Sequence, residues 1–94
     1  MVICSSLDEV RENIDKIDKQ IVQLIAQRSL FVKQAAGFKK DTEDVKAPKR
    51  VEAVIEKVKK LAEEADVEPG IVEAIYRTMI GAFINMEKKE LEKR

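Results

Sequence analysis

A chain of 94 residues sets a single domain spanning 1–94 as the expectation, and its 45% hydrophobic content, with three Gly, two Pro and 4% aromatics, arrives at helical rather than alternating spacing. Eighteen Lys and Arg balance eighteen Asp and Glu, which argues against a general nucleic-acid or membrane-surface binder and leaves room for a local cationic cluster. With no His and only Cys4, neither a transition-metal site nor a disulfide framework is expected within one chain.

The opening "MVICSS" is too short and lacks the basic start of a secretory signal, and no stretch approaches transmembrane length, so a cytoplasmic protein is the expectation. Ser6 followed three residues later by Glu9 reads as a capping box that opens the first helix. Its apolar seam runs Leu7, Val10, Ile14, Ile17, Ile21, Leu24, then Phe31, Ala35 and Phe38. No proline interrupts it, so the helix is predicted to reach Lys39 or Lys40, about 50 Å in all. "DTEDVKAP" reads as a polar loop ending at Pro48, a residue suited to the first turn of a second helix. That helix carries Val51, Val54, Ile55, Val58, Leu61 and Ala62 on one face. "EADVEPG" is the second break, and Pro69 opens a third helix whose face is Val72, Ile75, Tyr76, Met79, Ile80, Phe83 and Met86. Two shorter helices cannot cover the whole seam of the first, and a bare apolar strip of that length is one that soluble monomers avoid. The pattern therefore predicts an intertwined helical homodimer built on the first helix.

One beat of the seam is missing, because Arg28 stands where an apolar residue belongs. Lys39 follows about three turns on, pointing the same way roughly 16 Å along the axis, so long side chains could close on one small dianion. Arg11 lies about 25 Å before Arg28 and could reach such a ligand only from an antiparallel partner helix. Arg50, beside Val51, sits at the edge of the second helix's core face. Pattern alone leaves two readings of Arg28 open: an anion-binding group, or a buried ion pair with Asp15 or Asp18 across a dimer. Arg11 and Lys39 taken singly also read as surface residues with helical charge partners, and Arg50 as a partner of Glu43 or Asp44. Glu87 continues the row Tyr76, Ile80, Phe83, and so either faces inward or begins the solvated tail "EKKELEKR".

Taken together, "VRENIDKIDKQIVQLIAQR", then "FKK", a short loop and two further helices resemble the all-helical class of chorismate mutases over nearly the whole chain. The spacing of Arg11, Arg28 and Lys39 is similar to that family's cationic substrate contacts. The resemblance implies an all-α, three-helix intertwined homodimer with two active sites, each completed by the partner's Arg11. It implies the Claisen rearrangement of chorismate to prephenate, a small dianion, in aromatic amino acid biosynthesis, with no cofactor. In that scheme Arg28 and the partner's Arg11 bind the two carboxylates, Arg50 assists, and Lys39 meets a carboxylate and the ether oxygen, where negative charge grows.

The departures from the family pattern carry expectations of their own. Glu87 occupies a position that is often Gln, which donates a hydrogen bond to the ether oxygen. A carboxyl group donates only when protonated, so activity is expected to fall as pH rises. Ala47 and Val51 replace polar residues that meet the substrate hydroxyl, and Phe83 stands where Ser is common. "APKRV" at 47–51 is closer to the isochorismate-pyruvate lyases, which share the fold and the cation set, so lyase chemistry is the alternative. A non-catalytic helical dimerisation module is the other alternative.

Overall fold

The computed structural model describes residues 3–93, and these form α1 (Leu7–Ala36), α2 (Thr42–Lys46), α3 (Pro48–Glu64) and α4 (Pro69–Glu92). Three long helices match the expectation, and the five-residue α2 is an addition to it. The chain divides into two compact units, Met1–Val32 and Lys33–Arg94. Among the described residues no helix is long and apolar enough to cross a membrane.

The first unit is the body of α1. Ser6 caps it as the sequence predicts, its Oγ accepting from the Glu9 backbone N–H at 3.1 Å. The return half of the box goes one residue further out than expected. The Glu9 carboxylate accepts from the Ser5 hydroxyl at 2.7 Å and the Ser5 N–H at 3.2 Å. Those hydrogen bonds hold the Glu9 carboxyl below its ordinary value. None of the residues of α1 is buried, and the seam from Leu7 to Leu24 is 39 to 61% exposed.

α1 stops at Ala36 rather than at Lys39 or Lys40. Three tightened bonds end it: Gly37 N–H to Gln34 O, Phe38 N–H to Ala35 O and Lys39 N–H to Ala36 O, at 3.2, 3.0 and 3.1 Å. A Cβ at position 37 would lie 3.3 Å from the Gln34 carbonyl oxygen, so the turn is tight enough to favour glycine. The segment read as a loop then folds into α2 because it caps itself. Asp41 accepts from the Asp44 N–H at 2.9 Å, and Asp44 accepts from the Lys40 N–H at 3.0 Å. Val45 plugs the short helix into the core. Ala47 ends α2 and begins α3 at once, in the left-handed region at φ 38°, ψ 59°, a conformation that costs an L-residue about 1 kcal/mol.

Pro48 opens α3 and Pro69 opens α4, as predicted. α3 ends in a Schellman turn, Val67 N–H to Ala62 O at 2.9 Å and Asp66 N–H to Glu63 O at 3.2 Å, with Asp66 at φ 58° in the position glycine usually holds. The turn reverses the chain, and α3 and α4 pack as an antiparallel hairpin. Ile55, Val58 and Ala62 of α3 join Val45 in the core, while Leu61 and Ile75, expected to face inward, are half exposed or more. On the outside Arg77 staples the two helices. Its Nη1 and Nη2 donate to Glu52 at 2.9 Å each, and its Nε donates to Glu73 at 2.8 Å. These contacts hold the Glu52 and Glu73 carboxyls below their ordinary value near 4.5.

A carboxyl group depressed by folding contributes stability above its unfolded range and loses it as pH falls through its folded value. Arg77→Met is therefore expected to lower Tm at neutral pH, with the gap from wild type closing below about pH 4. Thermal melts followed by circular dichroism across that range check both the sign and the window.

Candidate active site

The inward face of α4 does not end at Phe83. Tyr76, Ile80 and Phe83 are half-buried, and Glu87, next in the same row, is 5% exposed and the one buried charged side chain among the described residues. A carboxylate so far from water needs a counter-charge. Lys39 supplies it, its Nζ donating to Glu87 Oε2 at 2.7 Å. The lysine is carried there by the tight turn after Ala36, and α2, packed on α4, closes the same end of the hairpin. The pair joins residues 48 positions apart.

Glu87 also borders a cavity of about 550 Å³, lined by Lys33, Ala36 and Gly37 on one side and Met86, Glu87, Glu90 and Lys93 on the other. Its walls mix the apolar Ala36, Gly37 and Met86 with charges of both signs from Lys33, Glu87, Glu90 and Lys93, so an occupant would meet both.

Of the residues singled out from sequence, Lys39 and Glu87 are brought into direct contact. Arg50, Val51 and Phe83 belong to the same unit: Arg50 is exposed on the first turn of α3, and Val51 and Phe83 are half-buried. Ala47, half-buried, holds the strained junction just before them. Arg28 and Arg11 belong to the first unit. Arg11 is exposed, whereas Arg28 is half-buried between the exposed Leu24 and Phe31 of the seam. Glu43 and Asp44, the acids that Arg50 would pair with as a surface residue, have other contacts: Glu43 lies 3.8 Å from Lys46, and Asp44 accepts from the backbone of Lys40.

Glu87 and Lys39, each expected to meet the substrate, meet each other here. Each of the two was assigned to a ligand, and their contact with each other was missed, because no spacing rule links positions this far apart. The Asp41–Asp44 capping pair, which shapes the segment between Lys39 and Arg50, was legible as a D-x-x-D signal and was read as loop.

Residues 10–88 match the family model described as chorismate mutase type II. The chain is 36% identical over 81 residues to the isochorismate pyruvate lyase of Pseudomonas aeruginosa, covering 86% of this chain and 80% of that protein. It is 31% identical over 87 residues to the chorismate mutase of Methanocaldococcus jannaschii, covering 92% and 88%. It is also 35% identical over 89 residues to the bifunctional chorismate mutase/prephenate dehydratase of Aquifex aeolicus, of which it spans 24%.

Removing the lysine would strand a buried carboxylate. Lys39→Met is expected to lower the unfolding free energy by about 1–3 kcal/mol, and Glu87→Gln, which keeps a polar group of the same shape, by less. Urea titration of the two variants beside wild type checks the order.

Proposed function

The chain belongs to the type II chorismate mutase family, and on that premise we propose that it is an enzyme rearranging chorismate to prephenate. The observation that supports this reading most directly is the charged pair Lys39–Glu87, inside the matched span and at the end of the hairpin core. The reaction is intramolecular: an ether C–O bond breaks as a C–C bond forms, so no nucleophile, metal or cofactor is required. What remains for the protein is to hold a dianion in its reactive conformer and to stabilise the charge that develops on the ether oxygen. Lys39 is a compact cation suited to that oxygen and to a neighbouring carboxylate. Arg28 is the group for one carboxylate and the partner's Arg11 for the other, with Arg50 assisting. Val51 and Phe83 form apolar wall around the ring.

The homodimer in this reading rests on α1. Ten of its large apolar residues, from Leu7 to Phe31, are at least 38% exposed in the single chain. A continuous strip of that kind is covered in solution, and a second α1 running antiparallel matches it while bringing Arg11 to the far end. A single domain working in the cytoplasm, on the route to the aromatic amino acids, completes the proposal.

Lyase chemistry on isochorismate is the second reading, and two observations favour it. Ala47 and Val51 are apolar where a mutase is expected to meet the substrate hydroxyl, and the P. aeruginosa relative is named for that activity. We give the mutase precedence because two of the three relatives carry that name and because it asks only for cations and conformer restriction.

Purified protein given chorismate and isochorismate in separate reactions is expected to form prephenate from the first and no pyruvate from the second. Salicylate with pyruvate from isochorismate would transfer the assignment to the lyase. Arg28→Ala is expected to lower kcat/KM about 10- to 100-fold with the helical signal intact, as the loss of one charge-assisted contact of about 1.5–3 kcal/mol. A structural arginine would instead weaken the dimer. Ile17→Asp on the seam is expected to shift sedimentation from dimer to monomer and to abolish turnover with it.

A further inference from the structure

The charges of Lys33–Arg94 are sorted along the hairpin. From Lys33 to Arg50, the stretch that builds the Lys39 end, six cations stand against three acids. From Lys60 to Glu68, where α3 turns into α4, one cation stands against four acids. The last turns of α4, which return to the Lys39 end, add cations and acids in equal number from Glu87 to Lys93. The helical rise of α3 sets the cationic and acidic ends about 25 Å apart.

The two signs also differ in how they are held at the Lys39 end. Each acid there is engaged: Asp41 caps α2, Glu43 lies 3.8 Å from Lys46, and Asp44 accepts from the Lys40 N–H at 3.0 Å. The side chains of Lys40, Lys49 and Arg50 are exposed and have no ion-pair partner among the described residues. Lys40 follows directly on Lys39, and Lys49 directly precedes Arg50. The two lysines thus flank residues assigned to the dianion without belonging to that set. A solvated cation needs no contact to act on a doubly charged ligand, because its field reaches about 10 Å at 0.1 M salt. A field of one sign at the mouth of a site raises the local concentration of a ligand of the other sign.

We propose that Lys40 and Lys49 recruit the dianion to the Lys39 end at long range, so that the hairpin selects its ligand by charge before any contact is made. The proposal rests on the dianionic substrate of the reading above and adds two recruiting residues to it. The acids from Glu63 to Glu68 act in the opposite sense and thin the dianion around the other end. Because the energy scales with the ligand's charge, a dianion gains twice what a monoanion gains. Each lysine contributes about 2- to 4-fold to kcat/KM at low ionic strength and almost nothing in concentrated salt.

Initial rates with chorismate, or with isochorismate if that is the isomer turned over, measured from about 10 mM to about 0.5 M ionic strength, read the effect. The variants are Lys40→Gln, Lys49→Gln and Lys60→Gln, all at exposed positions where the fold is not at stake. Lys60 lies on the same face of α3 as Lys49, about three turns on, and carries the same charge change to the acidic end. Lys40→Gln and Lys49→Gln are expected to lower kcat/KM about 2- to 4-fold at low salt, through KM with kcat unchanged, and to meet wild type at high salt. Lys60→Gln is expected to stay within about 1.5-fold of wild type throughout. A loss that persists at high salt would overturn action at long range in favour of direct contact. No loss at low salt while wild type turns over, or an equal loss in Lys60→Gln, would overturn the recruitment and leave the proposed function standing. A wild type that turns over neither isomer would overturn the proposed function, and the recruitment with it.

Discussion

A carboxylate cannot stay inside a helical hairpin unless a cation is delivered to it, and that requirement organises Lys33–Arg94. Glu87 sits where the apolar row of α4 would otherwise have continued, and its burial obliges Lys39 to sit against it. Lys39 can do so because α1 ends early, in a tight turn at Gly37, rather than running on past it. Early termination leaves a segment between Lys39 and Pro48 that must cover the same end of the hairpin. It does so by folding α2, pinning Val45 into the core and accepting a left-handed Ala47 to turn directly into α3. The buried charge, the tight turn at Gly37, α2 and the left-handed Ala47 thus meet at one end of the hairpin.

The first unit follows a different logic. α1 has a capped N-terminus, strong formers and a long apolar seam interrupted at Arg28, yet it buries none of its own residues. Helical propensity over 30 residues can hold such an element together, but apolar contact is what fixes one arrangement of it. Arg28 stands in that seam, half-buried between the exposed Leu24 and Phe31. A cation in an otherwise greasy stripe is tolerable only where an anion meets it, be that anion a ligand or a neighbouring acid.

What the sequence revealed, and what it hid, divides by the range of the interaction. Ser6, Pro48 and Pro69 act on their own first turns, so their helix starts were legible. The row Tyr76, Ile80, Phe83, Glu87 is a helical repeat, so the inward reading of Glu87 was legible as one of two alternatives. Five-residue α2 was not, because it is too short to show a period, and only its Asp41 and Asp44 caps betray it. Neither the Lys39–Glu87 pair nor the Arg77 fork was legible. Each depends on how elements lie against one another, which no local pattern encodes. The end of α1 differs from the periodicity's expectation because the tight turn at Gly37 stops the helix although the apolar row continues to Phe38.

The Arg77 fork and the Lys39–Glu87 pair show how burial changes the meaning of similar contacts. Arg77 meets Glu52 with two well-formed bonds, but both side chains are solvated, so the contact fixes register between α3 and α4 and is weakened by salt. Lys39 meets Glu87 with one, largely out of water, where neither group can change partner without the other being left exposed to the cost of desolvation. A surface pair can therefore be lost with little consequence for neighbouring groups. A buried one ties its two members together, because removing either leaves the other's charge in a water-poor place with nothing to offset its desolvation.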